Sequence, residues 1–86
     1  MTDYKVFERN EDGTLAVATH ATPEAAFAHT DQAGHAGFVL AMDAERATFA
    51  GYFGDFRPTP EEAAMLTMIL DVAEAPAPEK AVFAAA

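Results

Sequence analysis

His20, His29 and His35 are the only histidines in a chain of 86 residues, and they are its natural candidates for metal or proton chemistry. Their spacing, His-x8-His-x5-His, puts no two of them four apart on one helix face, as a helical zinc site needs. A zinc centre would require convergence with a carboxylate such as Asp31. The expectation is three surface or half-buried histidines, with His20 ending a strand, His29 in a helix and His35 following Gly34. Cysteine, serine and tryptophan are absent, which removes thiolate ligands, both common side-chain nucleophiles and every disulfide. Fourteen carboxylates make acid–base pairs easy to draw, but a catalytic pair needs one acid whose pKa is raised by an apolar wall. Nothing marks such a residue. Glu61 and Glu62 are explained by the positive end of a helix, and Glu11 and Asp12 by a turn. No glycine-rich phosphate loop, nucleophile elbow or paired His-Glu motif occurs. The reading is a non-enzyme with no catalytic, cofactor-binding or metal-binding residues.

Charge gives the next constraint. Asp plus Glu number 14 against 5 Lys plus Arg, a formal net charge of −9 with a pI near 4.4. The acids are not gathered in a tail: residues 1–43 carry seven against two bases, and residues 44–86 carry seven against three. Such a surface lacks the clustered cations that displace counterions from phosphates, which argues against direct nucleic-acid binding. Hydrophobic residues make up 51%, and seven are Phe, so the chain folds rather than forming an acidic tail. No apolar run reaches the roughly 18 residues of a spanning helix, and Met1–Lys5 does not read as a leader. The expectation is a cytoplasmic protein without a membrane partner.

These residues must be positioned by a small set of elements. Tyr4–Arg9 alternates loosely, Asp12–Gly13 favours a tight hairpin turn, and Thr14–Thr19 returns. Thr22–Pro23–Glu24 starts a helix that runs to about Ala33, with Thr as cap, Pro preset for the first position and Gly34 as the stop. Its apolar side is thin (Ala26, Phe27 and Ala33), so Phe27 is its expected anchor. Phe38–Met42 and Ala47–Phe53 form a second hairpin, with Phe49, Gly51 and Phe53 expected on one face and Thr48, Ala50 and Tyr52 on the other. Thr59–Pro60–Glu61–Glu62 opens a second helix with a complete capping box, expected to end near Glu74. The order is ββα twice: one α+β domain over residues 1–74, an antiparallel sheet with both helices on one face. Residues 75–86 are read as an Ala/Pro linker and a tail in which Val82 and Phe83 either dock or fray.

At 100° per residue, Thr67, Asp71 and Glu74 cluster within about 60° of the second helix, while its apolar residues sweep about 200°. A helix covering one sheet face needs a stripe of about 100°. Leu66, Ile69 and Leu70 are the expected core, with Phe27, Phe38, Leu40 and Phe49 as neighbours. Met65, Met68 and Val72 form the excess edge, buried internally or serving an apolar homodimer or partner interface. The segment Gly51–Arg57 concentrates three aromatics beside one cation. It reads as core packing by Phe53 and Phe56, or as an exposed anchor loop.

In size, net charge and compact α+β pattern the chain resembles the small acidic inhibitors of phages and mobile elements, including anti-CRISPR proteins and other nucleic-acid mimics. No residue motif is shared, so the resemblance assigns no site residues. It implies stoichiometric binding to a basic, nucleic-acid-binding protein partner, whose surface carboxylates would occupy. The candidate contact acids are Glu8, Glu11 and Asp12 at the first hairpin tip, Asp43 and Glu45 at the second, and Asp71 and Glu74 on the polar helix face. The alternatives are a homodimeric structural or assembly protein joined through Met65, Met68 and Val72, and an antitoxin or immunity protein.

Overall fold

The first turn forms as its residue chemistry dictates: Gly13 sits at φ 88°, and the Asp12 carboxylate accepts from the Thr14 amide and hydroxyl at 3.0 and 2.6 Å. It joins β1 (Thr2–Arg9) to β2 (Leu15–His20). The remaining elements are α1 (Pro23–Gln32), β3 (Gly37–Asp43), β4 (Arg46–Phe53) and α2 (Pro60–Leu70). The computed structural model describes residues 2–78 and Phe83. The protein is a single α+β domain of order ββαββα, its four antiparallel strands arranged β2-β1-β3-β4.

Both helix starts follow the expected caps. The Thr22 hydroxyl accepts from Ala25 N, and Thr59 forms a reciprocal capping box with Glu62. The two helices, however, lie on opposite faces of the sheet rather than on one. Paired residues point the same way across antiparallel strands, so Val6, Val39 and Gly51 share one face while Phe7, Phe38 and Tyr52 share the other. Ala26 of α1 packs with Val6, Val39 and Phe53; Leu66 of α2 packs with Phe38, Leu40, Tyr52 and Phe56. The physical reason lies in β3. Phe38, Val39 and Leu40 are at most 1% exposed, and a strand apolar on both sides needs a cover on each. The β2–α1–β3 crossover passes over β1 and supplies one cover; α2, which follows β4, supplies the other.

A bulge corrects the face assignment in β4. Val39 pairs with Gly51 and Leu40 with Phe49, leaving Ala50 unmatched. An extra residue reverses the alternation, so Phe49 and Tyr52 lie on the same face with ring centroids 4.8 Å apart. Gly37 is required by close approach: a Cβ there would meet the Phe7 carbonyl oxygen at 1.7 Å.

Helix α2 stops at Leu70, four residues before the expected end. Asp71 takes the left-handed conformation at φ 56°, and the amide of Val72 donates to the Thr67 carbonyl at 3.1 Å. The chain then folds back, so that Ala75 packs on the α2-side core and the Tyr52 hydroxyl donates to the Pro76 carbonyl at 2.8 Å. Leu66 is fully buried and Leu70 half-buried, but Ile69 is 39% exposed in the last helical turn. The expected core role of Ile69 therefore fails. Phe27 is also displaced from its expected place: it sits on the α1 side, half-buried against Phe83, while Ala26 makes the fully buried contact.

Phe83 is docked, its amide donating to the Tyr52 carbonyl at 2.7 Å. Gly51, at φ 148°, makes room for it: a Cβ there would meet the Phe83 backbone at 2.5 Å. Val82 lies outside the described residues.

Candidate functional site

The seven candidate contact acids are divided by the fold. β1 and β3 run antiparallel, so the two hairpin tips stand at opposite ends of the sheet. Glu11 and Asp12 occupy one end, where hydrogen bonds from Thr14 hold the Asp12 carboxyl below its usual range. Glu8 is drawn away from that tip, its side chain 19% exposed and 3.5 Å from His29 Nε2. Glu74 is exposed in the segment beyond α2, off the helix on which it was expected.

Asp43, Glu45 and Asp71 are brought together. With Arg46, Ile69 and Leu70 they line an open groove of about 530 Å³ between the β3–β4 tip and the end of α2. Ala44, in the tip, holds a left-handed φ of 57°. The last turn of α2 carries no basic residue, so the partial negative charge of the helix C-terminus adds to the carboxylates. Ile69 and Leu70 give the groove an apolar part beside the three carboxylates and the Arg46 guanidinium.

The candidate apolar edge also splits. Met65 is half-buried against the α2-side core, whereas Met68 is 80% and Val72 45% exposed. Val72, beyond the end of the helix, no longer shares a helical face with the methionines. The aromatics of the Gly51–Arg57 segment are core: Tyr52, Phe53 and Phe56 are at most 6% exposed, and Tyr52 stacks on Phe56 at 5.6 Å. Burial pushes the Tyr52 hydroxyl pKa up.

One association lay beyond the reading of the sequence. His20 Nε2 and His29 Nδ1 are 2.9 Å apart, with Glu8 behind His29, beside an open groove of about 420 Å³ between α1 and the first hairpin. The hairpin register carried half of the signal, since it places Glu8 and His20 on one sheet face. The path of α1 over that face supplied the rest. His35 is exposed and apart. Among the described residues, no group of three or more His, Asp or Glu is arranged to hold a metal ion, and no helix is long and apolar enough to cross a membrane.

Compared with known protein families, curated proteins and solved structures, the chain matches none.

Proposed function

We propose that the protein is a non-enzymatic, cytoplasmic acidic binding protein that inhibits a basic, nucleic-acid-binding partner by occupying its basic surface, in the manner of anti-CRISPR proteins and other nucleic-acid mimics. The observation that carries this reading is the convergence of Asp43, Glu45 and Asp71 around one open groove at the negative end of α2. The net charge of −9 supports it further, because complementary potential speeds encounter and fixes register. An antitoxin or immunity protein would use the same complementarity against a basic toxin.

The test is capture of partners by the immobilised protein at low and high salt, beside a variant carrying Asp43→Lys, Glu45→Lys and Asp71→Lys. The expected partner is a nucleic-acid-binding protein that is lost at high salt, lost with the triple variant, and released by competing DNA or RNA. Single reversals should change little, since an exposed ion pair contributes about 0.2–1 kcal/mol. Binding that survives the triple reversal and salt sinks this reading.

A second reading has its own observation. Met68 and Ile69 are exposed in the last turn of α2, which suits an apolar interface in a homodimer or assembly. Binding abolished by Met68→Asp but insensitive to salt favours that alternative.

A further inference from the structure

The histidine pair is held in an arrangement that the acidic groove neither uses nor explains. His20 ends β2 and His29 stands in the last turn of α1. Their rings meet edge to face, with centroids 5.1 Å apart and planes at 87°. Glu8 Oε1 lies 3.5 Å from His29 Nε2, an electrostatic contact rather than a hydrogen bond. In the tautomer pair that such a carboxylate favours, His29 carries its proton on Nε2 and its Nδ1 accepts from His20 Nε2. One shared proton thus joins two good metal-ligand nitrogens at 2.9 Å.

We propose that His20 Nε2 and His29 Nδ1 bind a single divalent transition-metal ion of the copper or nickel type, with Glu8 as the carboxylate that orients His29. Imidazole nitrogen suits these ions, and copper(II) stands at the top of the divalent affinity order. With metal–nitrogen bonds of about 2.0–2.1 Å, two ligands in cis positions of a tetragonal ion sit about 2.9 Å apart, and a tetrahedral pair about 3.3 Å. The observed 2.9 Å is a hydrogen-bonded separation, and it leaves the two nitrogens close enough for one ion to take both once the rings have turned. The ion enters from the groove, each ring turns about its Cβ–Cγ bond to aim its lone pair, and His20 moves its proton from Nε2 to Nδ1. No net proton is released. Waters in the open groove complete the coordination, because among the described residues no group of three or more His, Asp or Glu is arranged to hold the ion. Glu8 repeats the carboxylate–histidine–metal relay that raises ligand basicity. The bound ion fastens α1, whose only fully buried residue is Ala26, to the edge strand β2.

The experiment titrates copper(II) alone into the full chain, read by calorimetry, electron paramagnetic resonance and thermal melting. The expected result is one copper(II) per chain with two imidazole nitrogens in its spectrum and a rise in melting temperature on binding. His20→Ala and His29→Ala each remove the two-nitrogen signal and the thermal shift, and His35→Ala leaves both. Glu8→Gln weakens binding about tenfold to a hundredfold. A wild-type spectrum without imidazole nitrogens overturns the proposal, and that measurement needs no variant to fold. Equal copper affinity in the folded His20→Ala/His29→Ala double variant also overturns it, by assigning the metal to surface carboxylates.

Discussion

Arg9 and Glu62, 53 positions apart in the chain, form a two-point ion pair that ties β1 to the first turn of α2. Arg9 Nε donates to Oε2 at 3.1 Å and Nη2 to Oε1. The same guanidinium donates to the Arg57 carbonyl at 2.9 Å and lies 4.3 Å above the centre of the Phe56 ring. One side chain therefore holds a strand, the loop before α2 and the capping box, since Glu62 Oε1 also accepts from Thr59 N at 2.9 Å.

Arg9→Met should destabilise the domain by about 1–3 kcal/mol, the range for losing hydrogen bonds to a partly buried charged group. Urea unfolding of Arg9→Met, Glu62→Gln and the double variant checks this through a double-mutant cycle. Additive single effects would mean that the two residues are not coupled.

The pair also gives a direction in pH. Burial works to raise the Glu62 pKa, but the hydrogen bonds from Arg9 and Thr59 and the charge of Arg9 outweigh it and hold the carboxyl below its ordinary 4.5. The unfolded chain therefore takes up this proton first as pH falls. The contribution is fully present above about the unfolded value and disappears as pH drops through the folded one. Asp12 acts in the same sense. Glu62→Gln should flatten the loss of melting temperature between neutral and acid solution.

The opposite-face packing ranks the residues of α2. Leu66→Ala should cost about 2–5 kcal/mol, because Leu66 is fully enclosed. Leu70→Ala should cost less, and Ile69→Ala should stay within about 0.5 kcal/mol, as surface changes do. Chemical denaturation of the three variants settles the order. An Ile69 effect equal to that of Leu66 would contradict the observed helix face.

Gly51→Ala should undock Phe83 while leaving the sheet folded, because its Cβ would occupy the space of the Phe83 backbone. Hydrogen exchange reads this directly: the Phe83 amide, which donates to Tyr52, loses protection while Val6 and Val39 keep theirs. Gly37→Ala should differ by destabilising the whole domain, because it strikes the Phe7 backbone.

Local chemistry made much of the fold legible. The Asp12–Gly13 turn, the Thr-Pro-Glu helix starts and the apolar strand runs depend on residues near one another in the chain, and the strands and α1 fall within two residues of their expected bounds. The end of α2 was not legible. Asp71 tolerates the left-handed conformation, but the helix stops there because Ala75 and Pro76 return to the core. The candidate site divides in the same way. The acids of each hairpin tip were visible as turn residues; the meeting of Asp43 and Glu45 with Asp71 depends on where α2 comes to rest.

By itself the sequence determined the element order, the acidic surface and the absence of cysteine and serine chemistry, because composition and short-range pattern carry these directly. Only the tertiary structure decided that the helices cover opposite faces, that Phe49 and Tyr52 share a side, and that His20 meets His29 before Glu8. Each of those depends on packing between distant segments. The continuous apolar run Phe38–Val39–Leu40 demanded a cover on both sides of β3, the unmatched Ala50 reversed the side-chain alternation within β4, and the crossover of α1 carried one histidine to the other.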